Sequence, residues 1–296
     1  DLYSTKLAQT GEVLVCGGSR SFDLPTSLDA VEPTYLGGLV DGYAARLSAD
    51  LSTVNACTYL GGSLYDQTYF IERDANDFVY VTGQSRDGFP ISSGVYANPG
   101  SAHFIAKLSS DLGSFEYSTV FGDGTNTVNI SPTAFLVDIC ENVYVSGWGG
   151  TTNAFFNPDA GFTNGLPTTA DALQSTTDGS DFYFFVLSKN GISNLYSSYF
   201  GGNGSSEHVD GGTSRFDPEG VIYQAVCAGC GGSDLFPTTP GAWSESNGST
   251  NCNLGTAKIR FDLSGVRADS DALPSINGCA PFTVDFNNVK IGRAHV

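Results

Sequence analysis

The sequence predicts an all-β fold built from small repeated sheets. Four kinds of strand-and-turn segment recur in a fixed order along the 296 residues. No window of the chain shows a convincing helical period. Runs such as "DFYFFVL" (181–187) are apolar at consecutive positions, which is typical of strands covered on both faces. Units of about four strands with these properties are typical of the blades of a β-propeller.

The central strand of each repeat is apolar and contains or precedes Gly. A Pro turn follows it, and the four turn prolines are 65, 77 and 70 residues apart. The longest spacing contains residues 151–165, which we expect to form a surface loop. The central strands are predicted at 12–18, 78–85, 142–150 and 221–229, and the turn prolines are Pro25, Pro90, Pro167 and Pro237.

Three further strand types complete each repeat. A strand ending in Asp precedes the central strand, and the turn between them contains Asp, Asn or Gly, which favour hairpins. A strand and turn follow the Pro segment, and an aromatic strand ending in Gly closes the repeat. The Asp-ended strands lie at 69–74, 134–138 and 213–217, the third strands at 41–52, 102–114, 181–193 and 255–265, and the aromatic strands at 57–62, 117–124 and 196–204.

These repeats predict a partial ring of about four blades, each with four antiparallel strands. An array of β-sandwiches fits less well, because a sandwich needs about seven strands in about 100 residues. The period is lost after the fourth repeat, where a linker and the start of an Ig-like β-sandwich are expected. The tail "IGRAHV" matches a reading frame of a sequencing adapter, so we interpret the chain as a piece of a longer product. The predicted blades span about 1–58, 59–118, 119–198 and 199–266, followed by the linker (267–272), the sandwich strand (273–288) and a non-native tail (289–296).

The composition restricts the partners. A net charge of −18, from 31 acidic and 13 basic residues, argues against nucleic acid and anionic lipid, which both need a basic surface. No apolar run approaches the roughly 20 residues that span a bilayer, so we predict no membrane insertion. The 37 Gly residues and the low content of charged residues favour an extracellular β protein.

The repeats resemble a known bacterial family. "TYLGG", "VYVTG", "FPTTPGAW" and "FIAKLSSDL" are similar to the β-propeller repeat called the SBBP repeat, over roughly residues 1–266. "GCAPFTVDFNN" resembles the opening strand of a PKD domain, which is Ig-like. The resemblance implies a large secreted or outer-surface protein of Bacteroidetes, of the kind associated with gliding motility and type IX secretion. It implies no catalytic residues.

One repeat contains a Cys-x-x-Cys pair, Cys227 and Cys230, downstream of His208. A metal site formed by these three residues is one interpretation, but zinc thiolate pairs usually come in twos. A structural disulfide is favoured instead, between Cys230 and Cys252 of the same repeat. It would close a loop of about 23 residues and contribute roughly 3 kcal/mol on the entropic model.

Four residues are candidates for ligand binding. His208 and Asp210 lie in "GSSEHVDGG" (204–212), a loop expected near the propeller axis, where a polar loop without a ligand is the alternative. Trp148 and Trp243 lie at blade turns, where exposure would suit sugar stacking and burial between blades is the alternative.

No cofactor is predicted. The turn acids contain no EF-hand pattern, so Ca²⁺ is unsupported and solvated turn residues are the better account. Neither G-x-S-x-G nor H-E-x-x-H occurs. The turn acids are Asp74, Asp77, Asp138, Asp217 and Glu219.

The leading functional hypothesis is a non-catalytic module for adhesion or recognition, with an extracellular polymer or a surface protein as its partner. Two alternatives remain open. One is a polysaccharide hydrolase or lyase with a site in the axial channel, since paired carboxylates leave no local sequence pattern. The other is a purely structural part of a surface or motility apparatus.

Overall fold

The computed structural model describes residues 1–86, 88–156, 161–210, 214–261 and 263, and omits the side chains of 155 and 156. The predicted linker, Ig-like strand and tail lie outside these residues. The all-β prediction is confirmed. The strands are β1 Leu2–Leu7, β2 Val13–Ser19, β3 Asp41–Leu47, β4 Val54–Leu60, β5 Asp66–Arg73, β6 Val79–Ser85, β7 His103–Leu108, β8 Phe115–Phe121, β9 Ser131–Val137, β10 Val143–Trp148, β11 Phe182–Leu187, β12 Asn194–Phe200, β13 Ser214–Phe216, β14 Val221–Ala228 and β15 Asn253–Arg260.

The strands form four antiparallel sheets in which chain neighbours pair. The first sheet is β1-β2-β3-β4, the second is β5-β6-β7-β8, the third is β9-β10-β11-β12 and the fourth is β13-β14-β15. Within the described residues the fourth sheet has three strands rather than the expected four, so β15 is an edge strand. The first strands of consecutive sheets contact one another: β1 with β5, β5 with β9 and β9 with β13. The sheets therefore form a partial, propeller-like arc.

Each inner sheet is covered on both faces. Successive side chains of a strand point to opposite faces, so Phe104 packs toward the first sheet while Ile105 packs toward the third. In the same way, Phe185 faces the second sheet and Phe184 faces the fourth. The layer between the second and third sheets includes a stacked pair, Phe121 and Phe185, with ring centroids 4.6 Å apart. This two-sided burial explains the uninterrupted apolar runs in the sequence.

The Asp-containing hairpin turns have a repeated structure. Asp74 Oδ1 accepts hydrogen bonds from the backbone N–H groups of Asn76 (2.8 Å) and Phe78 (3.1 Å), and Asp217 binds its own turn similarly. Asp74 is 5% exposed and forms an ion pair with Lys107, with 3.0 Å between Oδ2 and Nζ. The prediction that the turn acids are solvated is therefore wrong for Asp74 and also for Asp77, which is 9% exposed. Asp74 holds its own turn, whereas the Asp77 carboxylate accepts from the backbone N–H of Gln9 (3.0 Å) in the first sheet.

The insertion at 151–165 differs from the expected loop, because it begins with a short helix, α1 Thr151–Phe156. Asn153 lies on this helix and is buried. Its side-chain amide donates to the backbone carbonyl of Trp148 (3.2 Å), and Ser131 Oγ donates to its Oδ1 (2.9 Å). Two contacts to the third sheet thus fix the helix, and six residues are too few to show a helical period in the sequence.

If burial between sheets stabilises the fold, truncating one side chain in a layer should lower the free energy of unfolding substantially. We expect Phe185→Ala to lower the free energy of unfolding in urea by about 3–5 kcal/mol, since it leaves a cavity opposite Phe121. Leu28→Ala is the matched control, because Leu28 is fully exposed, and should change it by less than about 0.5 kcal/mol. Equal effects of the two substitutions would contradict the layered core.

Candidate functional site

His208 and Cys227 are brought together by the backbone. They form an isolated antiparallel bridge, with His208 N donating to Cys227 O (3.2 Å) and Cys227 N donating to His208 O (3.0 Å). Cys227 lies in β14, and His208 lies just before β13, the first strand of the fourth sheet. Opposed residues of such a bridge have neighbouring side chains. The sequence separates them by 18 other residues, so only the hairpin makes them adjacent.

Cys230 and Cys252 form a disulfide, the pairing that the sequence analysis favours. It connects the end of β14 to the residue before β15. The weaker metal hypothesis, with Cys227, Cys230 and His208, therefore loses the Cys230 thiolate while the disulfide is intact. His208 Nδ1 still lies 3.7 Å from Cys230 Sγ, so the disulfide forms one wall around the imidazole.

The other edge of the imidazole faces Asp210 and Cys227, and we call His208, Asp210 and Cys227 the mixed-donor cluster. Asp210 Oδ2 lies 3.2 Å from Cys227 Sγ and 3.7 Å from His208 Nε2. Burial, and then the Asp210 carboxylate, raise the pKa of the Cys227 thiol above its ordinary value. The thiol is therefore protonated at neutral pH, which does not suit a nucleophile.

The two tryptophans have different environments. Trp148 is partly buried in the layer between the third and fourth sheets, and its ring centroid is 5.8 Å from that of His208. Trp243 is fully exposed and lies elsewhere, on a groove beside the fourth sheet. Three of the four predicted ligand residues thus lie together, and the fourth belongs to a separate surface.

The groove beside the fourth sheet has a volume of about 1250 Å³. Its walls are β14, the edge strand β15, and the segment 233–247 that carries Trp243. Its aromatic and basic lining residues are Tyr223, Phe236, Trp243, Arg215, Lys258 and Arg260, and it is also lined by Asp234 and Glu245.

The sequence analysis missed a pair of buried acids, Asp181 and Glu207, each 1% exposed. A Cβ on Gly201 would meet Asp181 Oδ1 at 2.0 Å and Glu207 Oε2 at 3.0 Å, so the two carboxylates flank this glycine. Glu207 accepts hydrogen bonds from the backbone N–H of Gly202 (3.2 Å) and from Ser205 Oγ. Glu207 therefore holds the loop between the third and fourth sheets.

The same arrangement recurs at the other sheet junctions. Asp66 accepts from the N–H of Gly62 (2.9 Å), and Asn129 accepts from the N–H of Asp123 (3.3 Å). In each case a side-chain oxygen binds the loop that follows an aromatic strand. The number of residues between the Gly that ends this strand and the binding side chain differs from repeat to repeat, so no fixed spacing in the sequence marks the pattern. Because the position recurs as Asp, Asn and Glu, its role is structural.

Burial perturbs the titration of these groups. Desolvation, reinforced by the nearby Asp178 and Glu207 carboxylates, raises the pKa of Asp181 to about 6. The buried His103 shows the opposite effect, since desolvation lowers its pKa to about 3. His103 Nε2 accepts hydrogen bonds from the N–H groups of Asn129 (3.0 Å) and Ile130 (3.2 Å), so the imidazole is neutral and bound to backbone.

Comparison with known proteins gives no assignment: no protein-family model matches the chain, and no curated protein matches it. In the described part of the chain, no helix has the length and hydropathy needed to cross a membrane.

Replacing Asp181 tests the acid pair. Its raised pKa means that the native state holds a proton that the unfolded chain releases between about pH 4 and 6, so this group destabilises the fold as pH rises through 6. Asp181→Asn removes that penalty and places an amide beside Glu207. We expect its melting temperature to match that of the parent near pH 4 and to exceed it by roughly 2–4 °C at pH 7.5.

Asp171→Asn is the control for this measurement, because Asp171 is exposed. A gain for Asp181→Asn that does not depend on pH, or an equal gain for Asp171→Asn, would contradict the buried acid pair.

Proposed function

We propose that this chain is a non-catalytic recognition module of a secreted or outer-surface bacterial protein, and that its groove binds an acidic polysaccharide. The observation that carries the proposal is the groove itself, with a fully exposed Trp243 on its wall beside basic side chains. Contiguous exposed apolar surface rimmed by polar residues marks interaction sites on folded proteins.

The aromatic residues of the groove provide flat apolar surfaces. Trp243 is unhindered, and Tyr223 is 42% exposed while its hydroxyl donates to Asp217 (3.1 Å), which orients the ring. The C–H face of a sugar ring is apolar and covers such an aromatic face well. The volume exceeds the roughly 300–1000 Å³ of typical small-molecule pockets, which suits several sugar units better than one.

The charge of the groove favours an anionic ligand. Arg215, Lys258 and Arg260 are three of the 13 basic residues in a chain of net charge −18. Two acids also line the groove, but backbone amides already bind them: Glu245 accepts from Gly241 N (2.7 Å), and Asp234 accepts from Asn247 N. Carboxylate or sulfate groups of a polymer are natural partners for the three cations.

The buried groups support a non-catalytic role. The Asp181–Glu207 pair is enclosed and holds a loop, His103 is neutral and bound to backbone, and the Cys227 thiol is protonated. None of them faces the groove. The disulfide suits an oxidising compartment outside the cytoplasm. We further propose, from the resemblance of the repeats, that the chain belongs with SBBP-repeat surface proteins.

Polymer depletion by the intact chain tests the proposal. We expect retention on acidic polymers (alginate, polygalacturonate, chondroitin sulfate) to exceed retention on neutral ones (dextran, laminarin), and to weaken with salt. Trp243→Ala and Arg260→Gln should each reduce affinity at least about tenfold, the loss expected when a central contact of an interface is removed.

Phe22→Ala and Arg20→Gln are matched controls, since both residues are exposed and lie outside the groove. Equal losses for controls and groove variants would contradict the assignment. Release of reducing ends from any polymer would favour the hydrolase or lyase hypothesis. Self-association that Trp243→Ala abolishes would instead identify the groove as an interface between two copies of this chain.

A further inference from the structure

We infer that the mixed-donor cluster of His208, Asp210 and Cys227 is a binding site for one Zn²⁺ ion. This inference goes beyond polysaccharide recognition and does not depend on it, because the cluster lies outside the groove residues.

The donor set has the chemistry that zinc prefers. A thiolate, an imidazole nitrogen and a carboxylate oxygen are the three ligand types found in protein zinc sites. Cys227 would bind as the thiolate and release to solvent the proton that its thiol carries in the metal-free chain. Their donor atoms all lie within 4.8 Å of one another. Tetrahedral coordination with ordinary bond lengths places sulfur and oxygen, or nitrogen and oxygen, about 3.4–3.6 Å apart. The observed separations from Asp210 Oδ2 are 3.2 Å to Cys227 Sγ and 3.7 Å to His208 Nε2, so small side-chain rotations suffice.

The imidazole is already oriented for coordination. His208 Nδ1 lies 3.1 Å from the backbone carbonyl oxygen of Ser206, and a carbonyl can only accept, so Nδ1 carries the proton. That tautomer leaves the lone pair of Nε2 directed toward Asp210. Metal-binding histidines are oriented in this way, by donation from the second ring nitrogen to a carbonyl or carboxylate. The hydrogen bond is the second observation, independent of the donor cluster, that points to a metal.

The backbone and the disulfide hold the imidazole side of the cluster in place, while the Asp210 side faces solvent. The backbone bridge fixes His208 opposite Cys227, and the Cys230–Cys252 disulfide packs against the Nδ1 edge of the ring. Asp210 and Cys227 line a small cavity of about 350 Å³, and the Asp210 side chain is 77% exposed. Three protein ligands, two of which line this cavity, leave a fourth position for water or an oxygen of a bound molecule.

Zinc binding by the disulfide-intact chain tests this inference. Calorimetric titration with ZnCl₂ should give one site per chain. Substitution with Co²⁺ should give a single-thiolate charge-transfer band and the visible spectrum of tetrahedral cobalt. We expect Asp210→Asn to weaken zinc binding at least about tenfold, and Cys227→Ser to weaken it more and remove the thiolate band. Asp210 is exposed, so its variant should keep the parent's melting temperature.

The double variant Cys230→Ser, Cys252→Ser is the matched control, and it should retain the zinc site and the single-thiolate band. Absence of binding to the oxidised chain would overturn the inference. So would binding that Asp210→Asn and Cys227→Ser leave unchanged, which indicates adventitious zinc. Binding only after reduction, with a stronger thiolate band that the double variant abolishes, would also overturn it, because it assigns the metal to His208 with the three cysteines.

Discussion

The burial of each sheet between two neighbours is the constraint on which the rest of the structure depends. Alternate side chains of β7 and β11 enter different layers, so the inner sheets have no face on which a charged group remains hydrated. Charged and titratable side chains therefore concentrate at strand ends and in the connections. There they hold turns, as Asp74 does, or inter-sheet loops, as Glu207 does. Candidate sites are consequently found at the ends of strands and at the side of the fourth sheet that no strand of the described residues covers.

Most strands could be predicted from the sequence because two local signals agree at them, whereas β1 Leu2–Leu7 was not predicted. The apolar run at 221–229 corresponds to β14 Val221–Ala228, and the Asp turn before it forms the expected hairpin. The helix Thr151–Phe156 could not be predicted in this way. It depends on Asn153 reaching Trp148 and Ser131, contacts that exist only once the third sheet has formed.

The candidate site was predictable only where its members share a repeat. Cys230 and Cys252 flank one connection of the fourth sheet, so their pairing followed from the repeat pattern. Asp181 and Glu207 are separated by two strands and a loop, and neither belongs to a recognisable motif. The exposure of Trp243 depends on how the segment 233–247 lies beside β15, and no local sequence pattern specifies that arrangement. Tertiary arrangement, not residue type, decides these cases.

The fourth sheet differs from the others at the position of the mixed-donor cluster. The bridge between His208 and Cys227 has a counterpart in the second sheet, where Gln67 pairs with Gln84. Gln84 is fully buried, and its amide donates to the Ile130 carbonyl (2.8 Å) of the next sheet. There the position serves packing between sheets. In the fourth sheet the corresponding pair is His208 and Cys227, both of which are partly exposed, and no strand of the described residues covers them. An imidazole and a thiol at these positions can therefore be reached from the surface, which their chemistry requires.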